Sequence, residues 1–174
     1  LYLFNMRFLI IFIFLWSNSF AEEITDIKNI VINKELKIHK ELTFLDIKKQ
    51  KIDIKDFKGN LILLNFWATW CTPCKKEMPS LDLLSKDKTF DNLKIFPINV
   101  GQDSVEKSQE FFKELNIKNL EIYFDSSNTL VRKLLLRGIP TTILLDKNGK
   151  EFGRIIGEID FKDKKFIDFL SSYN

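Results

Sequence analysis

The chain has 174 residues, with Lys+Arg 27 against Asp+Glu 24 and a formal net charge of +3, too small an excess to mark a nucleic-acid or membrane-surface binder. One domain is expected at this length, and 45% hydrophobic residues suffice for a core that needs no covalent staples. Two cysteines and one histidine are too few for a structural zinc site, which takes four Cys or His ligands.

Leu1 to Asn5 precede Met6, where translation is expected to begin. Arg7 is a positive n-region, Phe8 to Trp16 an apolar h-region, and Ser17 to Ala21 ends in a small-x-small cleavage pattern. Residues 1–21 are therefore read as a signal peptide, with the mature chain starting at Glu22. The alternative is an uncleaved anchor facing the periplasm. Its apolar run is broken by Ser17-Asn18-Ser19 and falls short of the ~20 residues that span a bilayer. Either way the domain is expected outside the cytoplasm, in a bacterial periplasm.

Residues 22–40 are polar, without a firm period, and read as a lead-in of uncertain order. His39 within it is read as solvent-exposed and inert. The domain proper is placed at 41–174. Leu42 to Asp46 and Lys51 to Ile54 flank a charged turn and predict a β-hairpin. Leu61 to Trp67 is continuously apolar, as in a parallel strand buried on both faces. Thr72 to Lys86 has helical spacing, with Pro73 in the first turn and Pro79 as an internal kink. Lys94 to Val100 predicts a strand in which Pro97 calls for a bulge or an unpaired side. Ser104 to Leu115 predicts a helix, Glu121 to Phe124 a short strand, and Asn128 to Leu136 a short helix stopped by Gly138-Ile139-Pro140. Thr141 to Asp146 and Glu151 to Ile156 predict a hairpin, and Asp160 to Ser171 a closing helix. Alternating strands and helices argue an α/β fold, made mixed by the final hairpin.

The two cysteines lie in Trp70-Cys71-Thr72-Pro73-Cys74, at the change from strand to helix. A bridge over so short a loop adds little stability, so the pair is read as chemistry rather than as a staple. A thiolate is the attacking species in disulfide exchange. Cys71 at a helix N-terminus meets free N–H groups and the positive end of the dipole, which favour the thiolate. Lys75 and Lys76 add to this if they point toward it. Cys74, one turn further in and more covered, is the resolving thiol.

Trp67-Ala68-Thr69-Trp70-Cys71-Thr72-Pro73-Cys74-Lys75-Lys76-Glu77-Met78-Pro79, with Gly138-Ile139-Pro140-Thr141-Thr142 and the Phe57-Lys58-Gly59 lead-in, resembles the TlpA/ResA-like thiol–disulfide oxidoreductases of the thioredoxin superfamily, most nearly the TlpA branch. The resemblance covers about residues 41 to 171. It implies a thioredoxin-like fold: a central mixed sheet flanked by helices, an N-terminal β-hairpin, and a βα insertion over roughly Gln102 to Phe124. It implies a cis Ile139–Pro140 peptide facing the dithiol, and a substrate-binding rim of Trp70, Thr72, Pro73, Ile139 and Pro140. Glu77 matches a family glutamate that tunes thiol protonation, and Asn65 stands where ordinary thioredoxins carry a buried acid. The activity implied is reduction of protein disulfides in cytochrome c maturation or in copper-site assembly of cytochrome oxidase. Electrons would come from a membrane thiol transporter of the DsbD/CcdA type. The protein is expected to be monomeric, to bind no nucleic acid, and to need no cofactor beyond the Cys71–Cys74 pair.

Other readings compete. Soft thiolates suit Cu(I), so a copper chaperone using the same two cysteines is the main alternative. Its relatives, however, carry CxxxC and a distant downstream His, whereas His39 lies upstream. Met78 is read as core rather than as a copper ligand. A thiol peroxidase would need P-x-x-x-T-x-x-C, and the positions before Cys71 hold Leu64 and Ala68. A DsbA-like oxidase would carry a long helical insertion, which is not evident, and an intact CxxC argues against a non-catalytic module.

Overall fold

The computed structural model describes residues 27–125 and 127–174, so the expected signal peptide over 1–21 lies outside the described residues. Among the described residues there are eight strands: β1 Ile30–Lys37, β2 Thr43–Asp46, β3 Lys51–Asp53, β4 Leu61–Trp67, β5 Leu93–Asn99, β6 Tyr123–Phe124, β7 Thr141–Leu145 and β8 Glu151–Ile156. The same residues form four α-helices: α1 Thr72–Leu84, α2 Val105–Glu114, α3 Thr129–Lys133 and α4 Lys164–Ser171. The strands form one mixed sheet in the order β1-β8-β7-β4-β5-β6-β2-β3, parallel only along β4-β5-β6.

β4 is central and wholly buried, as its unbroken apolar run requires. Its side chains alternate between two cores. Leu61, Leu63 and Trp67 face the cluster made with α1, α2 and α4, including Met78, Phe111 and Phe166. Ile62, Leu64 and Phe66 face the second cluster, with Phe44 of the hairpin and Leu130 and Leu134 at α3. Two helical layers thus enclose the sheet, and the CxxC emerges where β4 ends.

The polar stretch read as a lead-in supplies β1, which pairs antiparallel with β8 from Ile30↔Ile155 onward. Pro97 causes no bulge: the β4–β5 register runs unbroken through Asn65↔Pro97. Its flank is left free because β6 pairs only with Ile98 and Asn99. β6 is shorter than predicted, and ahead of it the backbone N–H groups of Lys118, Asn119 and Leu120 turn to the Asp82 carboxylate. Asp125 caps α3 by accepting from the Thr129, Leu130 and Val131 N–H groups. That helix ends early, with Leu135 at φ +53°. α4 begins at Lys164 rather than Asp160, because Asp163 accepts from the Lys165 and Phe166 N–H groups as N-cap.

His39 is not the inert surface residue expected. Its side chain is only 14% exposed, and its Nε2 lies 2.5 Å from Glu151 Oε2. Glu151 opens β8 and is fully buried. It also accepts from Arg154 Nε at 2.6 Å, Arg154 Nη2 at 3.0 Å and Asn33 Nδ2 at 3.2 Å. Burial alone would raise its pKa, but the bonds from Arg154, Asn33 and His39 outweigh that and hold it below the usual value.

Candidate active site

Cys71 is the N-cap of α1, in extended backbone at φ −83°, and its Sγ accepts from the Cys74 N–H at 3.3 Å. Thr72 and Pro73 fill the first helical positions, where a missing N–H costs nothing. The two sulfurs are joined in a disulfide. Cys71 is 4% exposed and Cys74 not at all, so in the disulfide form both sulfurs are buried and Cys71 is not the open thiol expected. Lys75 and Lys76 do not serve the thiol as the sequence reading allowed. Lys75 Nζ lies over the Phe111 ring, 5.7 Å from its centroid, and Lys76 Nζ meets Glu158 Oε1 at 3.5 Å.

The rim assembles from distant segments. Ile139–Pro140 is cis. Thr141, the next residue, pairs with Phe66 near the end of β4, which brings the proline to the same end of the sheet as Cys71. Pro140 is buried, and Ile139 is partly buried against both cores. Trp70 is 65% exposed beside Cys71, while Trp67 is fully buried and stacked on Phe111 at 4.7 Å between centroids.

Glu77 lies one turn beyond Cys74 on α1 and is 2% exposed. Residues three apart share a helix face. Its Oε1 accepts from Asn65 Nδ2 at 2.8 Å, and Asn65 Nδ2 also reaches Thr142 Oγ1 at 3.0 Å. Oε2 is buried without a hydrogen-bond partner. Burial pushes the Glu77 pKa from 4.5 up to about 8, with Asn65 and the Ile159 backbone drawing it down and the Glu158 charge adding slightly to the rise. The buried acid of this site thus lies on the active-site helix, and Asn65 on the central strand anchors it.

Sequence reasoning missed the fastening of the active-site loop. Thr69 is held by Asp103, from the segment entering α2. The only local signal, Asp103-Ser104 ahead of a periodic run, reads as a helix start.

A dithiol capped on a helix, beside a cis-proline rim and a buried acid that titrates near thiols, can perform thiol–disulfide exchange. A profile of the AhpC/TSA family matches residues 28–150. ResA of Bacillus cereus, a thiol-disulfide oxidoreductase, is 33% identical over 113 residues, 65% of this chain and 64% of that protein, so the match spans just under two thirds of the relative. Among solved structures, StoA of Bacillus subtilis has a TM-score of 0.63 at 26% identity, covering 75% of this chain and 98% of its own. A secreted thiol-disulfide isomerase of Corynebacterium glutamicum has a TM-score of 0.70 at 22% identity, covering 84% and 94%, a likeness of fold alone. The architecture is the thioredoxin-like one expected from the motifs.

Proposed function

The chain belongs to the AhpC/TSA family, and on that premise we propose that it is a thiol–disulfide oxidoreductase that reduces protein disulfides outside the cytoplasm. The observation that carries this is the Cys71–Cys74 pair at the start of α1, sharing its end of the sheet with the cis Ile139–Pro140 peptide. The name of its ResA relative supports the same chemistry.

In the reduced protein the Cys71 thiolate attacks a client sulfur. A Cys71–client bond forms as the client disulfide breaks, and the departing thiolate takes a proton. Cys74 then loses its proton and attacks Cys71 Sγ. The second client sulfur leaves as a thiolate and takes a proton, so the client gains the two electrons that the Cys71–Cys74 pair loses in forming its disulfide. Glu77, with a pKa near 8, is matched to a thiol, so a proton passes between it and Cys74 at little cost. Trp70, Thr72, Pro73, Ile139 and Pro140 form the client rim, and the Ile139 backbone pairs with an extended client segment.

The setting proposed is the periplasm, reached through a cleaved signal peptide over residues 1–21. The clients are disulfides of cytochrome c maturation or of copper-site assembly in cytochrome oxidase. Reducing equivalents come from a membrane thiol transporter of the DsbD/CcdA type, and the protein acts as a monomer with no further cofactor. The copper-chaperone alternative lacks a third ligand in His39. That residue is bound to Glu151, which pairs with Leu145 at the far end of β7 from Thr141, about 14 Å of strand away.

Cys74→Ser tests the reading, because it blocks resolution. It should accumulate a mixed disulfide through Cys71 with a specific client identifiable by mass spectrometry. No trapped client, a reduction potential near that of strong oxidants, or tight Cu(I) binding in place of exchange would overturn it.

A further inference from the structure

The loop that carries Cys71 is held from outside its own strand and helix. Trp67 O accepts from the Val100 N–H at 2.9 Å, and the Cys71 N–H closes a turn on Ala68 O at 3.2 Å. Between these bonds, Asp103 grips both polar groups of Thr69. The Thr69 N–H donates to Oδ2 at 3.0 Å, and the Thr69 hydroxyl donates to Oδ1 at 2.8 Å. Each oxygen takes a further donor: Asn99 Nδ2 on Oδ2 at 3.0 Å, and Lys107 Nζ on Oδ1 at 2.7 Å. The Asp103 side chain is 2% exposed. Burial alone would raise its pKa, but Lys107, Asn99 and Thr69 together hold it at about 2, so the grip stays charged throughout the physiological range.

Gly101 completes the corner. Its N–H donates to Asn99 Oδ1 at 2.9 Å, which ties the loop to the same asparagine. A Cβ on Gly101 would stand 2.6 Å from Ala68 Cβ, 2.8 Å from Asp103 Oδ2 and 3.0 Å from Trp70 Nε1. The carboxylate and the edge of the exposed indole therefore converge on one point that only glycine leaves open. The active-site turn and the β5–α2 loop form one hydrogen-bonded unit, and the Trp70 indole edge lies beside it at Gly101.

Resting on the exchange reading above, we propose that Asp103 is a positioning residue for disulfide exchange. By holding Thr69 from the β5–α2 loop, it fixes the turn that presents Cys71 and seats Trp70 beside the thiol. Position and charge make opposite predictions here. A negative charge near a thiol disfavours the thiolate, so charge alone predicts faster exchange at low pH in Asp103→Asn. Positioning predicts slower exchange at every pH.

The test follows reaction of the reduced protein with the aromatic disulfide dithiobis-nitrobenzoate across pH, so that the limiting rate constant of the thiolate separates from its pKa. Wild type is compared with Asp103→Asn, Thr69→Val and Thr69→Ser. The limiting rate should fall about tenfold in Asp103→Asn and Thr69→Val, the scale of one hydrogen bond to a charged group. Thr69→Ser, which keeps the hydroxyl, should restore it. Indole emission should change in the first two variants and return in the third. Thr69→Val is nearly isosteric and carries the test should Asp103→Asn fail to fold. An unchanged limiting rate and emission in Thr69→Val, or faster exchange at low pH in Asp103→Asn, overturns the inference while the exchange reading stands. A wild type inert toward the probe overturns the exchange reading, and this inference with it.

Discussion

Replacing Glu77 by Gln should make the protein more stable, by an amount that grows with pH. Glu77 is 2% exposed, and one of its oxygens has no partner. Its pKa is raised from 4.5 to about 8, burial being the main cause. Between those two values the folded protein keeps a proton that the unfolded chain has released. Stability therefore falls as pH rises, by about 1.4 kcal/mol per pH unit. The loss is roughly 3 kcal/mol at pH 7 and levels off at roughly 5 kcal/mol above pH 8. Glutamine has the shape of the protonated acid and cannot ionise, and its Oε1 can still accept from Asn65 Nδ2. Urea unfolding of the oxidised wild type and Glu77→Gln near pH 5, 7 and 9 isolates this group, because every other titration cancels in the difference. The two should unfold nearly together at the lowest pH, with the glutamine variant ahead by roughly 3 kcal/mol at neutrality. A gap that stays flat with pH would refute a buried, protonated Glu77. The same variant should lose the ionisation near pH 8 from the pH profile of the Cys74 step.

Other predictions concern the frame around the site. Arg154→Met strands the buried Glu151 carboxylate and should cost roughly 3–5 kcal/mol in urea unfolding at neutral pH. Because the Glu151 pKa is depressed, the stabilisation from its ionisation is present above the unfolded value and is lost as pH falls through the folded one, so the deficit should shrink on acidification. Asp82→Ala frees the Lys118, Asn119 and Leu120 N–H groups. It should cost roughly 3 kcal/mol and speed hydrogen exchange at those amides first; unchanged exchange there would sink the assignment. Trp67→Ala removes the ring stacked on Phe111 and should cost roughly 3–5 kcal/mol by thermal unfolding.

Much of this molecule is determined by its sequence alone, because the signals are local. The apolar run Leu61 to Trp67 requires burial on both faces, and β4 is buried along its whole length. Two thiols three positions apart at a strand-to-helix change place Cys71 on a cap and Cys74 inside the first turn. The tertiary structure decided what depends on partners far along the chain. β1 has no firm period of its own and becomes a strand only because β8 offers it an edge. His39 is drawn into a charge network by Glu151, 112 positions away. Glu77 was marked only by the family resemblance, and its burial and its bond to Asn65 came from the fold that closed the core over it. Asp103 reads as the residue before a helix, yet the β4–β5 pairing carries it to Thr69, 34 positions earlier. Propensity and period act over a few residues, whereas a polar group's partner, burial and pKa are set by whichever distant segment the sheet register brings beside it.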